Sequence, residues 1–544
     1  FESYDYDEKG NVISVTDSDN LALVYEYDSF GNVLKVTNKR GQTIDCTYNE
    51  RGQVTSRKYS DGTKVDYAYN SKGNLVTATS GTEVTTMKYD SKERLEKVEY
   101  PTGRSVTFGY DAANRRNKVT YSDGYVLNYT YDQNGHLKAV LNGDNKQIVG
   151  YKYDSAGRMT REELGNGTYS VYEYDAIGNN TKITNYAPDA KINSKYEYVY
   201  NSRGYISKVI TLEGENTYGY DAVGRLASVN LSNGRSIVYS YDIYGNRIKV
   251  KDNGVDKSYS ANGLNQYKNA GDDTFVYDKD GNLVSKVTSA GQYDYTYNID
   301  NKITQSTFGE NVTKYEYDQL GNLLYKEEGG KKIEYLTDPM GEGNIIAEYG
   351  DNGALIARNI YGIGLVGRVG NDGSINYYDS DNVGSIVGIS GKAGTYVNKY
   401  TYLPFGEVVT QSETVSNPFK YCGQWGVTDE GNGLYNMRAR MYDSNTGRFM
   451  SVDPVGIGSL ETNLYTYCHN NPLFLSDPSG ENPLVIAGAI IGAVAGGAFY
   501  AVGSSLTGNF TWGGLAGSVI SGGITGGLTG LLGPGVSVLG VLGS

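Results

Sequence analysis

Side chains able to do chemistry are scarce in this 544-residue chain. There are two histidines, His136 and His469, and three cysteines, Cys46, Cys422 and Cys468. The cysteines are odd in number and far apart, with no CxxC or zinc spacing. They read as isolated or buried thiols. Two histidines leave little room for histidine-based catalysis or a histidine metal site. No nucleotide loop and no Ser/His/Asp set is visible. After Glu481 there is no His, Asp, Glu, Lys or Arg, so that stretch cannot supply general acid–base catalysis from its own side chains. No cofactor and no metal are expected, and a conventional turnover enzyme is the least favoured class.

Composition points to architecture instead. The chain holds 53 Tyr, 11 Phe and 2 Trp, with 72 Gly. Tyrosine suits a half-buried strand, its ring covering the pleat while its hydroxyl reaches a partner. Glycine supplies the positive φ that tight turns need. Together they call for many short strands and many turns. Net charge is -13 and the pI about 4.9. Such a surface repels nucleic acid, and no nucleic-acid partner is expected for this chain.

The elements are written as a repeat, aromatic-x-Tyr-Asp/Asn-x-x-Gly-Asn/Arg. Copies include YEYDSFGN, YKYDSAGR, YGYDAVGR and YEYDQLGN. The Asp or Asn falls at Asp7, Asp28, Asn49, Asn70 and onward to Asp318, mostly 20 to 22 residues apart. The longer steps before Asn201 and between Asp242 and Asp278 hold insertions or a degenerate copy. Aromatics at i and i+2 share one strand face. The Asp or Asn can take backbone N–H groups just downstream, and the Gly can close the turn in the left-handed region. A second turn, such as SDGT at 60–63 or SNGR at 232–235, follows about ten residues on. Each unit is therefore a hairpin. The array predicts more than thirty strands in one antiparallel ribbon, and sheets beyond roughly ten strands curl or split. With a fixed twist the ribbon should coil into a spiral wall or closed shell.

This repeat resembles the YD repeat of the RHS family, which includes C components of bacterial toxin complexes, wall-associated polymorphic toxins and the animal teneurins. A second match runs from YLPFGE through NMRARMYDSNTGRFMSVDP to DPSG. It is similar to the RHS-associated core that ends the shell in that family. The resemblance covers roughly residues 1–480 and implies an all-β, hollow cage around a C-terminal toxin. It divides the chain into a repeat shell at 1–340, a core domain at 341–480 and an apolar segment at 481–544.

The resemblance also supplies site residues. Cleaving relatives carry an Arg and an Asp thirteen residues apart, with the Asp of DPxG, and these are tied to cutting of their own chain. The matching positions are Arg440, Asp453 and Asp477. The logic would be that of an aspartic protease, where one carboxyl holds a proton while the other activates water. Arg440 could keep one carboxylate ionised. The alternative is structural: Asp-Pro starts turns, and a buried Arg–Asp pair could simply fix the core segment, which the resemblance implies plugs one end of the shell. The relatives usually carry Leu after DPxG, where this chain has Glu481. A cut is placed near Glu481–Asn482, in a single turnover at most.

The stretch from Pro483 to Gly508 is apolar and uncharged, with Gly488, Gly492 and Gly496 four apart. It is long enough to cross a bilayer as a helix, and its glycines suit close helix packing. A membrane-active hairpin at 484–544, a pre-toxin segment held inside the cage, and a constitutive anchor all fit. The chain opens in mid-pattern at Phe1 and reads as a fragment of a longer, secreted or cell-surface protein, with any effector beyond Ser544. The expected function is a shell that encloses and helps deliver its own C-terminal toxin, with an immunity protein and a secretion apparatus as further partners. Rivals are a teneurin-like adhesion shell and a wall-carbohydrate binder.

Overall fold

The computed structural model describes residues 3–341, 343–456 and 462–481, together with the backbone of 484–485. Forty strands, from Ser3–Tyr6 to Val408–Ser412, form one sheet. Each pairs antiparallel with the strands before and after it in sequence. The pairing runs across residue 340 without a break.

The repeat motif explains each hairpin. In the copy at 28–32, Asp28 N–H donates to Asn32 O at 2.9 Å and Gly31 N–H to Asp28 O at 3.2 Å. Gly31 sits at φ +88. This is a tight turn closed by a left-handed residue, the arrangement that carries a one-residue bulge. The register shift falls between Glu26 and Tyr27, and between Thr47 and Tyr48, Ala68 and Tyr69, and Gly109 and Tyr110 in other copies. Bulges increase right-handed twist, so the motif that closes each turn also coils the ribbon.

Asp28 caps its turn: Oδ1 accepts the N–H groups of Phe30 and Asn32, and Oδ2 accepts from the Asn32 amide. Where Arg replaces that Asn, it bridges two repeats. Arg94 Nε donates to Asp90 Oδ2 at 2.7 Å, while its guanidinium lies 4.5 Å from the Tyr110 ring centre. Arg115, Arg158 and Arg225 stack on Tyr131, Tyr174 and Tyr241 in the same way. The second tyrosine of each motif is a clamp. Tyr27 OH donates to Val12 O at 2.7 Å, Tyr48 OH to Val33 O at 2.7 Å, and Tyr241 OH to Leu226 O at 2.8 Å. The first aromatic is buried instead, as at Tyr67, Tyr129, Tyr172 and Tyr239. The long gap between Asp242 and Asp278 contains the expected degenerate copy: Asn262 N–H donates to Gln266 O, and Asn265 takes the left-handed place of glycine.

The coil is visible in contacts far apart in sequence. Arg57 meets Asp300, Tyr67 meets Gln319, Arg116 meets Asp338, Tyr151 meets the amide of Ile363, and Asn166 meets Ser390. These partners are 212 to 252 residues apart, so one turn of the coil lies on the next. Side chains between the turns make the largest core, which includes Val98, Val140, Val149, Leu336 and Ile360.

After Ser412 the chain leaves the ribbon and folds onto it. A four-stranded sheet spans Thr428–Gly431, Leu434–Met437, Arg440–Asp443 and Arg448–Phe449. Its segment lies across successive repeat turns of the wall. Asn471 donates to Gly224 O, Asn470 to Gly245 O, Arg448 to Asn265 O and Tyr465 to Gly281 O. This C-terminal segment therefore meets one carbonyl on each of four successive hairpin turns of the wall. All three cysteines are buried thiols outside any disulfide. Among the described residues no helix is long and apolar enough to cross a membrane. The proposed helical or membrane-active segment at 484–544 lies outside the described residues, apart from Leu484 and Val485, whose backbone pairs with Ser476 and Leu475.

Candidate functional site

Three pieces of the segment after Ser412 place the expected residues. The hairpin between Leu434–Met437 and Arg440–Asp443 turns at Arg438, φ +59, and presents Arg440. Asp453 starts a turn in which Gly456 N–H donates to its carbonyl and Val455 N–H to its Oδ1. Asp477 begins the DPSG turn. Its Oδ1 accepts Ser479 Oγ at 2.9 Å, Gly480 N at 3.0 Å and Glu481 N at 3.2 Å.

These three meet. Arg440 Nη2 is 3.2 Å from Asp453 Oδ2 and 3.6 Å from Asp477 Oδ2. Arg440, Asp453 and Asp477 are 4%, 8% and 1% exposed, so both carboxyls share one guanidinium nitrogen away from water. Arg440 also donates from Nη1 to Leu464 O at 3.0 Å and from Nε to Gly480 O. Its guanidinium lies 3.5 Å from the Phe449 ring centre. One cation can neutralise one carboxylate. Burial pushes the Asp477 carboxyl above the ordinary range, against the opposing pull of Arg440.

Glu481 occupies the end of this path. Its N–H is held by both Asp477 Oδ1 and Ser479 Oγ. Burial pushes its carboxyl up to about 7, Lys302 of the wall opposes that rise, and Asp453 and Asp477 add to it. Lys302 donates to Gly321 O at 2.6 Å, and burial lowers its ammonium. Asn482 lies outside the described residues.

Several supporting residues were not legible beforehand. Arg438 Nη1 donates to Pro478 O at 2.6 Å and Nη2 to Asn344 Oδ1 at 2.6 Å, tying the DPSG turn to the ribbon. Gly480 sits at φ +70 with its Cα so close to the hairpin that a Cβ would stand 2.5 Å from Met437 O. The Arg-Ala-Arg spacing was the available signal for Arg438. Nothing in the sequence pointed to Lys302, which arrives from a wall turn 179 positions earlier than Glu481. Among the described residues no group of three or more His, Cys, Asp or Glu is arranged to hold a metal ion.

The Teneurin YD-shell family model matches residues 1–126 and 196–473, most of the chain. The chain belongs to the Teneurin YD-shell family. The tRNA nuclease WapA of Bacillus subtilis (strain 168) is 32% identical to this YD-shell over 278 residues, 48% of this chain and 12% of that protein. Double-stranded DNA deaminase toxin A of Burkholderia cenocepacia (strain H111) is 24% identical over 469 residues, 73% of this chain and 32% of that protein. The crystal structure of TcdB2-TccC3 superposes on the YD-shell with a TM-score of 0.75 at 17% identity, over 88% of this chain and 29% of that one. That likeness establishes the coiled-sheet fold. The YD-shell spans only 12% and 32% of the two curated relatives.

Proposed function

We propose that this YD-shell encloses the C-terminal segment that follows it, a toxin in the longer protein, and that it cuts its own chain at the exit from the plug. The observation that carries this reading is the buried meeting of Arg440, Asp453 and Asp477 where residues 478–481 leave the core. The toxin relatives support the nature of the cargo, and the coiled wall supports enclosure. A secreted or cell-surface setting, an immunity protein and a secretion apparatus belong to the same reading.

The step is hydrolysis of the Glu481–Asn482 peptide bond. One carboxyl, with Asp453 in that role, takes a proton from water. The water oxygen bonds to the Glu481 carbonyl carbon. Asp477, whose proton is favoured by burial, gives it to the departing nitrogen of Asn482. Glu481 is left with a carboxylate and Asn482 with an amine. Arg440 positions the strand by holding Gly480 O, one residue before the bond. In the competing structural role, the same contacts only pin the plug.

Intact-mass spectrometry of freshly purified protein decides between them. Two fragments dividing at Glu481–Asn482 are expected. An uncut chain across residues 478–486 removes the cleavage reading and leaves the enclosure reading to a protease-protection assay of the C-terminal segment.

A further inference from the structure

Three consecutive carbonyls lead up to the Glu481–Asn482 bond, and three consecutive residues hold them. Arg438 Nη1 donates to Pro478 O at 2.6 Å, Ala439 N–H to Ser479 O at 3.1 Å, and Arg440 Nε to Gly480 O. The turn of the hairpin thus sets the register of the departing strand residue by residue. Register matters for a cut, because a misplacement of about 1 Å can cost about 10²-fold in rate.

The two arginines differ in what stands behind them. Arg440 turns its other nitrogens to Leu464 O, Asp453 and Asp477, all in the segment after Ser412. Arg438 reaches the ribbon. Its Nη2 donates to Asn344 Oδ1 at 2.6 Å and also to Trp425 O. Arg438 takes φ +59, a left-handed conformation that a non-glycine residue keeps where its contacts over-determine it. Gly426 makes room for the contact: a Cβ there would collide with Asn344 Oδ1 and stand 2.9 Å from Arg438 Nη2.

Asn344 is fixed in turn by the seam between turns of the coil. It pairs with Asp338 across the hairpin of Lys331–Asp338 and Asn344–Gly350, and its N–H donates to Gly341 O at 3.0 Å. Asp338 Oδ1 accepts Met340 N–H at 2.9 Å, while its Oδ2 takes Arg116, 222 positions earlier. Beside this pair Tyr100 OH donates to Thr337 O, and Tyr110 OH lies 3.5 Å from Met340 Sδ. A continuous path runs from Arg116 through Asp338, Asn344 and Arg438 to Pro478 O.

We propose that Arg438 is a positioning residue that makes the cut conditional on a closed coil: it holds the DPSG turn in register only while the seam keeps Asn344 in place. This rests on the cleavage reading above and adds its regulation. The order suits a shell, since a tail freed before closure would escape enclosure.

Asn344→Leu removes the acceptor at similar size, and Asn344→Asp keeps it. The Leu variant is expected to slow the cut by about tenfold to a hundredfold, the range for a lost hydrogen bond to a charged group. Intact mass over time reads the rate. The Asp variant should cut at close to the unsubstituted rate. Equal rates in the two variants, fast or slow, overturn the proposal. Asp338→Asn, checked for folding by circular dichroism, should slow the cut as well, with little further loss when Asn344→Leu is added. Should it fail to fold, Tyr100→Phe takes its place. Effects that multiply in full mean that seam and turn act separately, and the proposal falls.

A second readout needs no cut. In the Asp453→Asn chain, Gly480 and Glu481 N–H are held by Asp477 Oδ1. Their hydrogen exchange should speed up at least about tenfold when Asn344→Leu is added, and not with Asn344→Asp. Unchanged exchange overturns the proposal. An unsubstituted chain that stays uncut removes the cleavage reading instead, and exchange in that chain then decides whether the seam holds the turn.

Discussion

The Arg440 cluster makes its sharpest demands on single atoms. Asp453→Asn removes a negative charge beside Arg440 while keeping a side chain able to accept Val455 N–H. Cleavage in this variant is expected to slow by about 10²–10⁴-fold, the range over which a lost general base acts. The fraction of uncut chain by intact mass, followed over hours, reads it directly. Asp477→Asn should do the same, although it also disturbs the cap over Ser479, Gly480 and Glu481. Circular dichroism separates a folded, uncut variant from an unfolded one. Normal cutting in Asp453→Asn would leave Arg440, Asp453 and Asp477 with their structural role alone.

The hairpin unit depends on two cheaper devices. Tyr220 OH donates to Ile206 O at 2.7 Å, the clamp seen throughout the array. Tyr220→Phe keeps the ring and loses one hydrogen bond, which should cost about 1 kcal/mol. Gly124 sits at φ +87, and among the described residues no atom lies within 4 Å of where a Cβ would stand. Gly124→Ala therefore has no clash and meets only the backbone penalty. That penalty is about 1–2 kcal/mol for a left-handed alanine. Urea or thermal denaturation compares the two. A neutral result at Gly124 would mean that the turn relaxes out of the left-handed region. The same hairpins show how much was readable in advance. The period, the turn residues and the shared face of the aromatics followed from spacing. The tyrosine clamp did not, because its acceptor is a carbonyl about fifteen positions back, an address set by strand pairing.

The coil is held by contacts between its turns. Arg116 and Asp338 form an ion pair at 2.5 Å, both side chains nearly buried. Asp338→Asn leaves the guanidinium without its charge partner and should destabilise by about 3–5 kcal/mol. Lys64 pairs with Asp66 at the surface, half exposed on both sides, and Lys64→Ala should cost at most about 1 kcal/mol. Equal effects would show that the seam contributes no more than the surface. A second seam group makes stability depend on pH. Glu162 is buried near Asp379, Tyr151 and Tyr172, and burial pushes its carboxyl up to about 8, with Asp379 adding to the rise. Asp379 is itself pushed up to about 7 by burial, opposed by the Tyr396 hydroxyl. In the unfolded chain Glu162 ionises at its ordinary value of 4.5. Between there and about 8 the folded chain holds the extra proton, so stability falls as pH rises through that window. Glu162→Gln should therefore leave stability at about pH 4 nearly unchanged and raise it at about pH 8 and above, by on the order of 3 kcal/mol. Denaturation midpoints measured across about pH 4–9 check the sign.

Local chemistry is what the amino-acid order settled. An Asp that caps its own turn, a Gly or Asn at positive φ, and two aromatics on one strand face all act within a few residues, so a period of about 21 residues and an antiparallel ribbon follow from spacing. The three residues Arg440, Asp453 and Asp477 were reached through a motif, but their distances were not. Arg440, Asp453 and Asp477 touch because a hairpin and two turns converge on one buried point. The pairing of Arg57 with Asp300 and the arrival of Lys302 near Glu481 were decided only by coiling. The physical reason is accumulation. Each bulge adds a small twist, and only the sum over many hairpins fixes which rungs of one turn face which rungs of the next.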